Sequence, residues 1–209
     1  MSAESYLHWL QENFKRLESP EELGRREAVG EWPYVPYSIS SFMEALGEAR
    51  RAFLSIHGKA AESFLEVGCG YGWLTSYAQS TMLSWRRAGM VHGLEIHPPY
   101  VEFARTICVP DSIIQADALA FKRYRDYDLI FFYMPFREPQ KQKQLVERIM
   151  AQAKGLVFFP AYGVNGTAIY NPEARVAGGC HLWSAKLKGP AKPAYKPVAT
   201  KKKRQRAAA

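Results

Sequence analysis

The stretch FLEVGCGYG sets three glycines at alternate positions, Gly68, Gly70 and Gly72, behind an apolar run that carries one acid, Glu66. A strand that runs into a Gly-rich turn and then a helix lets the backbone approach a phosphate or a nucleoside closely. Two more acids fall at the ends of later apolar runs. Glu95 closes the run from Met90 to Ile96, and Asp117 follows the run from Ile113 to Ala116. A carboxylate in the first position can accept both hydroxyl protons of a ribose, and one in the second can accept from an adenine amino group. Each charge-assisted bond of this kind contributes roughly 1.5 to 3 kcal/mol. The next run, Tyr127 to Tyr133, ends in Tyr133-Met134-Pro135-Phe136, an aromatic-rich strand end.

These residues need elements to position them, and the patterning supplies them. Strand-like runs occur at Phe64 to Val67, Met90 to Ile96, Ile113 to Ala116, Tyr127 to Tyr133 and Leu156 to Phe159, with helical segments between. Near-continuous apolar strands alternating with helices imply a parallel sheet covered on both faces. In such a sheet ligands bind at the carboxyl ends of the strands, where these residues fall. Pro98-Pro99 and Pro139 each suit the first turn of a helix, and Lys154-Gly155 closes the second of these. Ahead of the glycines, Leu7, Leu10, Phe14 and Leu17 recur at helical spacing, as do Phe42, Met43, Leu46, Ala49 and Phe53. Ser41-x-x-Glu44 reads as a capping box for the second helix. Asn165-Gly166 suggests a turn, and Gly178 to Leu187 holds a last strand, expected to be antiparallel.

Several ligands fit a glycine turn, and neighbouring residues narrow the choice. A dinucleotide fingerprint needs a third glycine where Trp73 stands, and no Gly-Lys-Ser/Thr follows for a Walker loop. Glu66-x-Gly68-x-Gly70-x-Gly72, then Glu95, Asp117 and the aromatic fourth strand end together resemble the class I S-adenosylmethionine-dependent methyltransferases. The resemblance covers about residues 60 to 160. It implies that Gly68, Gly70 and Gly72 pass beside the methionine part of the cofactor, and that Glu95 binds the ribose. It further implies that Asp117 and Ala118 contact adenine, and that Glu66 is tied indirectly to the cofactor's amino group. Methyl transfer is an in-line displacement that depends mainly on holding the acceptor close and aligned, so a strong acid–base signature is not required. Tyr133 is the catalytic candidate, able to orient or deprotonate an acceptor; a core aromatic is the competing reading. Tyr133 to Phe136 has a partial likeness to the Asp/Asn-Pro-Pro-Tyr/Phe motif of amino methyltransferases. It retains the second proline and the aromatic but lacks the polar first residue and the first proline. Asp117 can alternatively cap a helix through Leu119.

The chain of 209 residues, 47% hydrophobic and 13% aromatic, can bury a full core. Its net charge of +8 belongs to the end: residues 186 to 209 hold nine Lys and Arg and no acid, against 19 basic and 20 acidic residues in the rest. With Pro190, Pro193 and Pro197 spaced through it, that end is expected to be an extended, disordered tail. It could attract a nucleic acid or another acidic partner, or act as a solubilising terminus. Cys69, Cys108 and Cys180 are scattered, which argues against a disulfide framework and a zinc site. With no apolar run of membrane-spanning length and no signal-peptide pattern, a cytoplasmic location and no membrane partner are expected. The expected organisation is N-terminal helices with an aromatic lid (1–60), a Rossmann-like doubly wound, mostly parallel sheet that binds S-adenosylmethionine (61–187), and a basic tail (188–209). The lid is the aromatic stretch Trp32 to Tyr37. Two other functions compete: a non-catalytic binding protein that keeps this fold and works through its tail, and a nicotinamide-dependent oxidoreductase.

Overall fold

A computed structural model of the chain describes residues 20–21, 37–82, 90–133, 135–160, 175–177 and 180–186. The first amphipathic helix, Trp32 to Pro36 of the lid, Met134, the turn at Asn165-Gly166 and the tail beyond Lys186 lie outside them.

The order of elements is helix α1 (Ile39–His57), strand β1 (Phe64–Val67), α2 (Trp73–Met82), β2 (Val91–Glu95), α3 (Pro98–Ile107) and β3 (Ile113–Gln115). A short 3-10 turn (Tyr124–Asp126), β4 (Leu129–Phe132), α4 (Pro139–Gln152), β5 (Leu156–Pro160), β6 (Arg175–Ala177) and β7 (Cys180–Trp183) complete it. The strands form one sheet in the order β3-β2-β1-β4-β5-β7-β6. Its first five strands pair in parallel, and β7 runs antiparallel to both β5 and β6. The expected reversal of the last strand is therefore present. Strand β6, which pairs Arg175 to Ala177 with β7, was not legible in the sequence.

Side-chain alternation sorts the core into two faces. Phe64, Leu129, Phe131, Leu156 and Phe158 point toward α1 and α2, and Leu65, Val67, Ile130, Phe132, Val157 and Phe159 point toward α4. Helix α1 is part of this core: Phe42, Ala45, Leu46, Ala49 and Phe53 are buried, and the Phe42 ring meets those of Phe64 and Phe131 at 6.0 and 5.0 Å. Aromatic pairs of this geometry add about 0.5 to 1.5 kcal/mol each beyond their buried area.

One helix start differs from expectation. Helix α1 begins at Ile39, with Ser38 as its N-cap accepting a 3.4 Å bond from the Ser41 amide, so Ser41 and Glu44 do not form the capping box. The 2.9 Å bond from Phe42 N to Ser38 O makes the first helical turn three residues earlier than the Ser41 pattern implies. Gly58 ends the helix at φ +67°, its amide donating to Leu54 O. Pro98 and Pro139 open α3 and α4 as expected, where a missing N–H has no cost. Among the described residues, no helix is long and apolar enough to cross a membrane.

Candidate functional site

At the carboxyl end of β1 the chain makes a left-handed turn three times in five residues. Gly68, Gly70 and Gly72 have φ of +73°, +51° and +78°, a region that L side chains rarely enter. Packing adds a second requirement at two of them. A Cβ on Gly68 would stand 2.8 Å from Pro135 Cβ, and one on Gly72 would stand 2.9 Å from Ala104 Cβ on α3. The first contact places the glycine turn directly against the loop that follows β4, as a ligand site spanning both strand ends requires.

Glu95, at the end of β2, is 7% exposed, and its carboxylate faces the turn. Oε2 accepts from the Gly70 amide at 2.8 Å, while Oε1 accepts from the amides of Ile96 (2.8 Å) and His97 (3.0 Å). A carboxylate has about four acceptor positions. Three are taken, which leaves room for one hydroxyl rather than the two expected of a ribose acid. Three other amides of the turn are engaged as well: Gly68 N and Cys69 N both donate to Leu94 O (2.8 and 3.0 Å), and Gly72 N donates to Cys69 O (2.8 Å). Ile96, beside Glu95, is a large apolar side chain left 47% exposed.

Glu66 is buried on the opposite side of the turn, in the middle of β1. Its Oε2 accepts from the Thr75 hydroxyl at 2.6 Å. Burial pushes its carboxyl up to about 8, the nearby Glu95 adding to the rise and the Thr75 bonds opposing it. The acid is therefore largely neutral at pH 7. Thr75 and Gly93 were missed in the sequence. Gly93 pairs with Glu66 across the sheet, and a Cβ there would meet Thr75 Oγ1 at 2.8 Å and Cys69 Sγ at 2.7 Å. The only local signal was a glycine inside a strand, which marks a close approach without saying of what.

Asp117 stands beyond β3 with its Oδ1 accepting from Leu119 N at 2.8 Å, so its role as a cap for the following turn is real. The carbonyl of Ala118 accepts from the Tyr124 hydroxyl at 2.7 Å. That carbonyl is engaged, and Asp117 Oδ2 takes no bond among the described residues. The amide of Ala116 donates to Glu95 O at 3.0 Å, which ties the ends of β2 and β3 together.

Tyr133 leaves β4 half-buried, its ring 4.8 Å from that of Tyr37, which in turn lies 5.6 Å from Phe131. The Tyr37 hydroxyl is 3.9 Å from Cys180 Sγ at the start of β7. Burial raises both phenols above their ordinary value. Burial also pushes the three thiols of Cys69, Cys108 and Cys180 up, which leaves them poor nucleophiles. Among the described residues, no group of three His, Cys, Asp or Glu side chains could hold a metal ion.

The sheet order, with its reversed seventh strand, and the glycine turn at the end of β1 make this a Rossmann-like fold. No protein-family model matches the sequence, and no curated protein does. Among solved structures, the chain is similar to the plantazolicin methyltransferase BpumL in complex with S-adenosylhomocysteine, at 14% identity and a TM-score of 0.46, over 73% of this chain and 51% of that one. It is also similar to the sugar N-methyltransferase KedS8 from Streptoalloteichus (15%, TM-score 0.47, 67% and 60%). A third is DesVI of Streptomyces venezuelae (21%, TM-score 0.43, 57% and 50%). The chain thus spans between half and two thirds of the length of these proteins.

Proposed function

We propose that the chain is an S-adenosylmethionine-dependent methyltransferase. One observation carries the reading: the amides of Gly68, Cys69, Gly70 and Gly72 are all engaged within the protein, and the Gly70 amide is bound by a buried carboxylate. A pyrophosphate site works the other way, with free N–H groups aimed at an anion. A glycine turn backed by Glu95 repels phosphate and suits an uncharged nucleoside joined to a cation.

The residues fit that group. Glu95 keeps one acceptor position for a ribose hydroxyl, Ile96 offers apolar surface to a purine, and Asp117 Oδ2, which takes no bond among the described residues, can accept from an amino group. The cofactor supplies a methyl group already activated on a sulfonium. What remains for the chain is alignment. Pro135 packed on Gly68 sets the β4 loop beside the glycine turn, and Tyr133 projects from that strand end. Because its phenol is raised by burial, Tyr133 serves as a neutral hydrogen-bond donor that orients an acceptor, not as a base. The acceptor then brings its own lone pair to the reaction.

Incubation with labelled methyl donor and fractionated nucleic acid, protein and small-molecule extracts tests this. Incorporation into one fraction, lost in Glu95→Ala, supports the reading. If the donor binds but no fraction acquires label, the chain is a binding protein on a methyltransferase fold.

A further inference from the structure

The register of the sheet brings three strands level beside the glycine turn. Val67 pairs with Phe132, so Tyr133, the next residue, stands level with Gly68. Phe131 pairs with Phe158, which sets Tyr133 level with Pro160, and Pro160 pairs with Cys180 at the start of β7. Side-chain alternation puts Tyr133 on the face of Phe131, toward α1. Val91 lies on that face as well, and Glu95, four residues along β2, therefore shares it. Tyr133 and Glu95 thus come from the same face of the sheet at its carboxyl edge.

Tyr37 fills the angle between these strands from outside the sheet. It directly precedes Ser38, the N-cap of α1, so its backbone is fixed to a helix that Phe42 anchors. Its ring lies 4.8 Å from that of Tyr133, tilted by 45°, and 5.6 Å from that of Phe131. Its hydroxyl stands 3.9 Å from Sγ of Cys180, a fully buried residue. The two phenols are therefore used differently. Tyr37 turns its hydroxyl to β7 and its ring to Tyr133, whereas the hydroxyl of half-buried Tyr133 has no hydrogen-bond partner among the described residues. A ring fixed by packing with its polar tip left unbonded is a preorganised donor, oriented before a ligand arrives. Tyrosines that serve the core bond their hydroxyls within the protein, as Tyr124 does with the Ala118 carbonyl and Tyr127 with Nδ1 of His92.

We infer that Tyr37 is a positioning residue of the methyl-transfer site: its ring, tied to β7 through Cys180, holds the Tyr133 hydroxyl beside the glycine turn, where it donates to an oxygen or nitrogen lone pair of the methyl acceptor. This role rests on the reading of the chain as a methyltransferase. Tyr37 does not touch the reacting atoms and acts through the Tyr133 ring. In-line displacement needs the acceptor within a narrow range of distance and angle, so a donor that swings freely would align it poorly.

Proton NMR of the full chain with labelled tyrosine tests the contact without any acceptor. The Tyr133 ring signals, assigned by their loss in Y133F, should be displaced by the ring current of Tyr37. They should move in Y37L and stay in place in Y37F, which keeps the ring. Calorimetry with S-adenosylhomocysteine should give the same affinity for wild type, Y37F and Y37L, since the Tyr37 contacts are to β4 and β7 and not to Glu95. Transfer of labelled methyl to the accepting extract fraction is the second readout. Y133F and Y37L should each lower the maximal rate about tenfold to a hundredfold with the cofactor KM unchanged, and the double variant should be no slower than either. Y37F should stay close to wild type. Unmoved Tyr133 signals in Y37L, or losses that multiply in the double variant, would overturn the positioning role. A wild type that binds no S-adenosylhomocysteine or labels no fraction would instead overturn the methyltransferase reading, and this role with it. If Y37L fails to fold, Y37H, with a smaller flat ring, takes its place and should give an intermediate shift and rate.

Discussion

Glu66 and Glu95 flank one turn and are held in different ways. Glu95 accepts from three backbone amides, whereas Glu66 has one hydroxyl partner and a burial cost that keeps it protonated up to about pH 8. Unfolded, the Glu66 carboxyl ionises near 4.5. Between about 4.5 and 8 the folded chain keeps a proton that the unfolded chain has released. The stability tied to this group is therefore complete below about 4.5 and is lost as the pH rises to about 8. Glu66→Gln removes the titration, so denaturation at a series of pH values should show the wild type losing a few kcal/mol more than the variant across this window. Parallel curves would mean that Glu66 is charged in the folded protein. Glu95→Ala should weaken S-adenosylhomocysteine binding by roughly tenfold to a hundredfold, the worth of one charge-assisted bond. The single open position on Glu95 makes a finer prediction: of the 2′-deoxy and 3′-deoxy analogues of that ligand, one should bind nearly as well as the parent. Equal large losses for both would show that Glu95 gives up a backbone amide to take both hydroxyls.

At the scale of elements, the three glycines of the turn are demanded by different things. Gly72→Ala combines a left-handed φ with a collision against the Ala104 Cα and Cβ of α3, which cannot swing away. The expected cost is about 2 to 5 kcal/mol, read by thermal or chemical unfolding. Gly58→Ala is the control, with the same sign of φ and nothing within 4 Å, and should cost only about 1 kcal/mol. Equal losses at the two positions would remove the packing explanation. The strands were legible because each is a mainly apolar run: β1 was read to the residue, and β2 to β5 to within two residues at each end. Prolines marked the starts of α3 and α4 just as directly. Serines at 38, 40 and 41 gave α1 more than one possible cap, and the choice was made by which carbonyl closed the first turn. The turn glycines, Glu95 and Asp117 could be found because they fall at strand ends. What Glu95 binds, why Gly93 must be glycine and how Thr75 reaches Glu66 could not, because each depends on residues brought together only by the sheet.

Across the whole molecule, the candidate site gathers at one edge of one sheet. The glycine turn, Glu95, Asp117 and Tyr133 lie at the carboxyl edge, while β7 ends at Trp183 on the other, near the last residue of α1. Helix α1 runs between these edges and is fixed to the sheet by Phe42, whose ring meets Phe64, Tyr77, Phe131 and Phe158. Phe42→Ala should therefore cost about 3 to 5 kcal/mol in an unfolding titration, and a loss under 1 kcal/mol would mean that α1 is a detachable appendage. The central claim is that the glycine turn holds an adenosyl sulfonium cofactor and not a pyrophosphate. Calorimetric titration of the purified chain with S-adenosylhomocysteine, and separately with NAD, tests it most directly. Micromolar binding of the first ligand with none of the second is the predicted result; binding of NAD, or of neither, would contradict it.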